Sequence, residues 1–310
     1  MEEVHLAYRT ESFSPFVHTV REIGRDEYGL NVEMTLIRGV EDAERDLVGG
    51  EIDLIIGQHY TPFVSKLTGH HLTWLAVAQN RRDYKLVTRP GIRNLAELRG
   101  NPVARAKNYC LGINQQIVLN RMGLEGEVTE VLDENRGTKS MLDLLDKGDV
   151  AGAFVDVPGD LEAKRRGFVV HEETPMLDII AGECITTVPR FMREKDSAVR
   201  AFVKAYLHAV SVFTTKPDFV RNLIRNNSKI AKDLDNRFKT GDEELMARFI
   251  GHWSSRWERK PYPNMKALFN THEKAIRYDK RCAAVNPLTV IDMHYIKELD
   301  ENGFIDKLYK

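Results

Sequence analysis

The amino-acid sequence predicts an α/β protein made of two strand–helix units with a helical C-terminal portion. Three observations carry this. Strand-like and helix-like segments alternate from residue 3 to residue 79, the alternation restarts near residue 92, and from Pro189 onward apolar residues recur almost wholly at helical spacing. Such alternation builds mainly parallel sheets with helices on their faces.

In chain order, "EVHLAYRT" (3–10) reads as a strand. "SFSPFVHTVREIGRDEYGL" (12–30) opens with Ser and Pro start signals and closes at Gly29, so it reads as a helix. "NVEMTLIRG" (31–39) alternates as a strand, and "VEDAERDLVGGE" (40–51) is a short acidic helix ended by Gly49-Gly50. "IDLIIG" (52–57) is a continuous apolar run, the pattern of a strand covered on both faces. "TPFVSKLTG" supplies a helix and "LTWLAVAQ" (72–79) a strand. The second unit gives a short helix, a strand at Pro102–Ala106, a helix running to Gly123 and a strand in "EVTEVLDEN" (127–135). Residues 137–168 then give helix, strand "AGAFVD" and helix, and "FVVHEE" and "CITTVP" close the unit as strands. Beyond it, Asp196 or Ser197 caps a helix that stops at Lys216-Pro217, and further helices fall around 218–231, 242–257, 264–279 and 291–299.

The bulk composition excludes several classes. With 42% hydrophobic and 29% charged residues and a formal net charge of -1, the 310-residue chain has no global charge suited to nucleic acid or an anionic membrane surface. No apolar run approaches the ~20 residues of a membrane span, so no membrane insertion is expected. "MEEVHLAYRT" opens with two acids and lacks the basic start and apolar core of a leader, which places the chain as given in the cytoplasm, or in the periplasm if a leader was removed. Cys110, Cys184 and Cys282 are odd in number and far apart, without metal spacing, and read as buried structural thiols. His70-His71 has no carboxylate or third histidine at ligand spacing, so it reads as a solvated turn, and neither a metal nor a cofactor is expected.

In doubly wound sheets ligands sit beyond the carboxyl ends of the strands. Those ends carry Tyr8-Arg9, Gln58-His59-Tyr60 and Gln79-Asn80-Arg81, so three successive strands deliver polar or cationic groups to one edge. Arg9 precedes Ser12, Phe13 and Ser14 at a helix start, where unpaired N–H groups and a guanidinium suit a carboxylate or sulfonate. His59 can donate, accept or transfer a proton near neutral pH. Arg81 and Arg82 face opposite ways on an extended chain, so one of the two, either Arg81 or Arg82, is expected at the site. Arg105 precedes Asn108 and Tyr109 at a loop-to-helix junction, and Asp156 ends a strand ahead of Val157-Pro158. The basic run "RWERK" (256–260) reads as a solvated helix end.

Several segments together resemble a known family. "LAELRG" followed by a strand, a polar loop and a helix ending "NRMGL" resembles type II periplasmic binding proteins, in the branch for nitrate, sulfonate, taurine and thiamine-pyrimidine precursors. "KGDVAGAFVDVPGDLEAKRRGF" is similar to that branch's strand and polar turn, "VPRFMREKDSAVRAFVKAYLHAVSVFTTKPD" to its lobe-returning strand and long helix, and "NPLTVIDMHYIKELDENGFI" to its C-terminal segment. The resemblance implies two lobes, one from 1–88 plus 189–310 and one from 89–188, each a mixed, mainly parallel sheet flanked by helices, with a ligand in the cleft between them. It implies that backbone amides at Asn108-Tyr109 hold the anionic end of the ligand and that the turn at Asp156 faces the cleft. The glycine- and cysteine-rich motif of the yeast-type thiamine-pyrimidine synthases is absent, and Ser12 and Ser14 stand where the desulfinase relatives have a reactive cysteine.

Three functions remain open on these residues. One is a binding protein that closes over a small organic anion and serves an ABC permease if exported. The second is a cytoplasmic enzyme of the same fold acting on a carboxylated substrate, aromatic ones included, in the manner of a decarboxylase or lyase, with His59 as acid/base and Asp156 tuning it. The third is a cytoplasmic ligand sensor.

Overall fold

The computed structural model describes the whole chain except Gln58, His59, Asn108, Asn135, Arg136 and Asn236, and the side chain of Tyr109. The chain divides into two compact units, one of Met1–Arg81, Asp178–Ile230 and Trp253–Lys310, the other of Arg82–Leu177 and Ala231–His252.

The first stretch of chain forms β1 (Glu2–Tyr8), α1 (Ser14–Tyr28), β2 (Leu30–Leu36), α2 (Val40–Gly49), β3 (Leu54–Ile56), α3 (Thr61–Thr68), β4 (Thr73–Ala76) and β5 (Arg81–Arg82). The middle forms β6 (Lys85–Thr88), β7 (Pro102–Ala106), α4 (Tyr109–Arg121), β8 (Thr129–Asp133), α5 (Thr138–Lys147), β9 (Gly152–Val155), α6 (Gly159–Arg165), β10 (Val169–His171) and β11 (Leu177–Asp178). The last stretch forms β12 (Ile185–Thr187), then α7 (Pro189–Glu194), α8 (Asp196–Thr215), α9 (Pro217–Asn226), α10 (Ser228–Asp235), α11 (Glu243–Ser255), α12 (Met265–Tyr278), α13 (His294–Glu301) and α14 (Phe304–Lys307).

In the first unit the sheet order is β2-β1-β3-β12-β4. β1 pairs in parallel with β2 and β3, whereas β12 runs antiparallel to both β3 and β4. The sheet is therefore mixed, because the strand that returns to it enters from the opposite end. β3 is buried along its whole length, as its unbroken apolar run requires. α1 covers the sheet with Phe16, Val17 and Val20, and Phe16 meets Tyr206 and Phe213 of α8 edge-on at 5.3 and 5.5 Å. Complete burial of such a ring contributes about 1.5–3 kcal/mol. α1 stops where Gly29 takes φ 66°, a left-handed conformation that glycine adopts without a Cβ clash.

In the second unit the order is β10-β6-β9-β7-β8, with β7 parallel to β8 and β9, and β6 antiparallel to β9 and β10. Its core gathers Val87, Ala104, Ala153, Val155, Met141 and Leu145. Residues 231–252, which the sequence groups with 189–310, pack in this unit. Ion pairs hold them there, Arg237 to Asp156, Arg248 to Asp160, and Arg165 to Asp242 and Glu244, and His252 Nε2 lies 3.3 Å from Asp83 Oδ1.

The helix expected at 218–231 is two helices. Asn227 is extended at φ -115° and ψ 102°, and its Oδ1 accepts the N–H of Ile230 at 3.1 Å. An Asn side chain that captures a backbone N–H starts a new helix rather than continuing the old one. Among the described residues, no helix is long and apolar enough to cross a membrane.

Candidate functional site

In the first unit, β1 and β3 end at the same sheet edge, and β12, running the other way, enters from it. Beyond β1, Arg9 turns its guanidinium onto the chain after β2 and donates to the carbonyl oxygens of Ile37, Gly39 and Arg38, the last at 2.7 Å. Beyond β3, Gly57 has φ +102°, and a Cβ there would lie 2.5 Å from Phe13 Cε2 and 3.2 Å from Arg9 Cβ. Only glycine lets Phe13 and Arg9 pack so close to the strand end. Ser12, Phe13 and Ser14 are buried at the start of α1, and no side chain caps that helix at Phe13. The ring of Tyr60 lies 5.0 Å from that of Tyr278, and the fully buried Lys274 places Nζ 5.7 Å from the Tyr60 centroid.

A buried charged relay stands behind this edge. Gln79 Nε2 donates to Glu183 Oε2 at 2.6 Å, and Arg256 Nη2 donates to Gln79 Oε1 at 2.6 Å. A carboxylate accepts only and a guanidinium donates only, so the two neighbours fix which end of the carboxamide is oxygen. Tyr206 donates to the backbone oxygen of Glu183 at 2.7 Å, and burial pushes its phenol well above the usual tyrosine range. Cys184 follows, with burial raising its thiol to about 12. Asn80, next to Gln79, spans two backbone groups: Nδ2 donates to Tyr262 O at 2.9 Å and Oδ1 accepts Asn264 N–H at 2.7 Å.

The second unit contains another polar cluster. The Asp156 carboxylate, just past β9, accepts Arg82 Nη2 at 3.2 and 3.1 Å and Arg237 Nη2 at 2.5 Å. The Arg82 guanidinium carbon lies 5.4 Å from the centroid of Tyr84, whose hydroxyl accepts Asn114 Nδ2 at 3.1 Å. Burial pulls the Arg82 pKa down, but Asp156 and its other neighbours outweigh it and the net shift is upward. Burial raises the Tyr84 phenol, opposed by Arg82. At the β7–α4 junction, Ala106 N–H donates to Gln115 Oε1 at 2.7 Å, and a Cβ on Gly112 would lie 2.1 Å from Ala106 O, so α4 starts tight against the strand end.

No protein-family model matches the chain, and no curated protein matches it in sequence. Solved structures do. A putative periplasmic sulfonate-binding protein of a sulfonate ABC transporter from Methylobacillus flagellatus aligns with TM-score 0.71 at 16% identity, covering 98% of this chain and 96% of that one. The periplasmic aliphatic sulphonate binding protein of Escherichia coli aligns with TM-score 0.68 at 13% identity over 94% and 92% of the two chains. A conserved Candida albicans gene product, described as defining a new family with the generic periplasmic binding protein fold, aligns with TM-score 0.60 at 13% identity over 97% and 96%. The chain has the periplasmic-binding-protein fold.

Within this periplasmic-binding-protein fold, the sequence-selected residues divide between the units. Tyr8, Arg9, Ser12, Phe13, Ser14 and Tyr60 belong to the first unit, and Arg105, Tyr109 and Asp156 to the second. Gln58, His59 and Asn108 lie outside the described residues. Arg81 has a side chain 59% exposed and lies 4.0 Å from Asp178, whereas Arg82 is the arginine turned inward, at 16%. Arg105 pairs with Glu130 on the neighbouring strand. His70 and His71 are both exposed. The expectation for "RWERK" needs correcting: Arg256 reaches the buried Gln79 and Trp257 is buried, so the segment starts inside the fold and only its end is solvated. Sequence reasoning passed over Glu183, Lys274, Asn114 and Arg237. The first had a signal, a lone acid in the apolar run "AGECITT".

Proposed function

We propose that the chain is a solute-binding protein for a small organic anion, a carboxylate or a sulfonate. The observation that carries this is the match of the fold, over 98% of the chain, to a putative periplasmic sulfonate-binding protein. The polar strand ends support it, since α/β sheets bind ligands there. In this account each compact unit carries candidate ligand-binding residues of its own, Tyr8–Ser14 and Gln58–Tyr60 in one, and Arg105–Tyr109 and Asp156 in the other. An ABC permease is the partner such a protein would serve.

The internal partners of the arginines shape the proposal. Arg9, Arg82 and Arg105 are each engaged by protein oxygens. An anion therefore binds by drawing on helix N-terminal and loop amides, or by exchanging with a protein carboxylate, rather than by meeting bare cations. A thermal-shift panel of aliphatic and aromatic carboxylates and sulfonates tests this. At least one member is expected to raise the melting temperature in a concentration-dependent way. A flat response across the panel refutes the proposal.

A further inference from the structure

The cluster around Asp156 is built for one more acceptor than it has. Arg82 meets the carboxylate through a single nitrogen, Nη2, which contacts both oxygens at 3.2 and 3.1 Å. The strong arrangement is a fork in which two nitrogens each take one oxygen. Among the described residues, Arg82 Nε is buried without an acceptor, and so is the Oδ1 of Asn114 without a donor. Asn114 is 4% exposed, and its Nδ2 is already committed to the Tyr84 hydroxyl. A buried donor and a buried acceptor left unmade each carry a desolvation cost. Asn114, Tyr84, Arg82, Asp156 and Arg237 thus form a continuous chain of contacts with one unused donor and one unused acceptor. The side chains of Arg82, Arg237 and Asp156 are 16, 27 and 21% exposed, so part of the cluster meets solvent.

We propose that Asp156 is the internal counter-anion of an oxyanion subsite in the second unit, and that a ligand carboxylate or sulfonate binds Arg82 and Arg237 by displacing it. The inference rests on the solute-binding function proposed above and gives that function a specific subsite. An incoming oxyanion takes the Nε–Nη2 side of Arg82 as a fork, gaining the bond that Asp156 leaves unmade, while Arg237 closes on a further oxygen. The orphaned Asn114 oxygen selects ligands with a hydroxyl or other donor near the oxyanion. No bond forms or breaks covalently, and the Asp156 carboxylate passes to solvent.

Calorimetric titration with ethanesulfonate, isethionate, acetate and glycolate tests this in wild type and in Asp156→Asn. Removing the tethered competitor is expected to tighten binding of ethanesulfonate by about tenfold or more. Arg82→Lys, which keeps the charge but loses the fork, is expected to weaken it by about tenfold. Isethionate and glycolate are expected to outbind their unhydroxylated partners, with the preference lost in Asn114→Ala. In wild type, independently of how any variant folds, ethanesulfonate is expected to shift the Arg82 Nε–H resonance of arginine-labelled protein. Asp156→Asn binding that is equal to or weaker than wild type overturns the subsite. So does the absence of binding of all four probes to both proteins, or an unmoved Arg82 resonance at saturation. A wild-type protein that binds an anion with affinity indifferent to Asp156→Asn retains the solute-binding function and loses only this subsite.

Discussion

Replacing Gln79 by leucine removes the bridge of the buried relay while keeping its volume. The carboxamide holds two charge-assisted hydrogen bonds, Nε2 to Glu183 Oε2 and Oε1 from Arg256 Nη2, both 2.6 Å long, and Gln79 itself is fully buried. Bonds to charged partners contribute about 1.5–3 kcal/mol each, so losing both costs about 3–6 kcal/mol. The leucine recovers about 1–2 kcal/mol by burying apolar surface. The net expected loss is about 1–5 kcal/mol, and the cost arises because a carboxylate and a guanidinium are left facing an apolar group. Asn80→Ala next door breaks two neutral bonds to backbone groups and is expected to cost less, about 1–3 kcal/mol. Urea unfolding of each variant, followed by tryptophan fluorescence, measures the difference. A Gln79→Leu loss under about 1 kcal/mol refutes the assignment of this network as a charged relay.

Three further outcomes are expected. Gly57→Ala forces a side chain into φ +102° and 2.5 Å from Phe13 Cε2, so it should destabilise by about 2–5 kcal/mol in thermal unfolding, from strained backbone and overpacking together. Native alkylation with iodoacetamide, read by mass spectrometry, should spare the buried Cys184, whose thiol burial raises to about 12, and the buried Cys282, and modify the half-buried Cys110. Glu172 is held at about 2 by hydrogen bonds from Lys164 and Lys85, a lowered folded pKa, so its stabilisation is complete above the ordinary glutamate range near 4.5 and fades as pH falls toward about 2. The melting-temperature gap between wild type and Glu172→Gln should therefore be constant above pH ~5 and close in acid, with a size of at most about 1 kcal/mol because the pair is solvent-screened; a gap that widens in acid contradicts the pairing.

Much of the architecture was legible because local chemistry and fold agree. Gly29 and Gly49-Gly50 end helices as read, and the strand at Pro102–Ala106 falls where its apolar pattern put it. What escaped were the features set by tertiary neighbours. Two-residue strands such as β5 and β11 carry no periodicity to detect. The antiparallel course of β12 depends on where the chain comes from, not on its own residues. The phase of the Arg81/Arg82 alternation is set by the pairing around it, so sequence predicted that they diverge but not which one turns inward. At the site, the strand-end residues were found by a rule about sheets, whereas Arg237 and Asn114 lie 81 and 42 positions from Asp156 and meet it, directly or through Tyr84 and Arg82, only after folding. Glu183 and Arg256 were legible in retrospect: an acid inside an apolar run, and an arginine flanked by a buried Trp253 and Trp257.

The central claim is reversible capture of a small organic anion, and calorimetric titration of the best thermal-shift ligand, with mass-spectrometric recovery of that ligand after long incubation, tests it most directly. The account predicts saturable binding at one ligand per chain and recovery of the compound unchanged. A ligand that returns chemically altered, or a heat signal that never saturates, contradicts it.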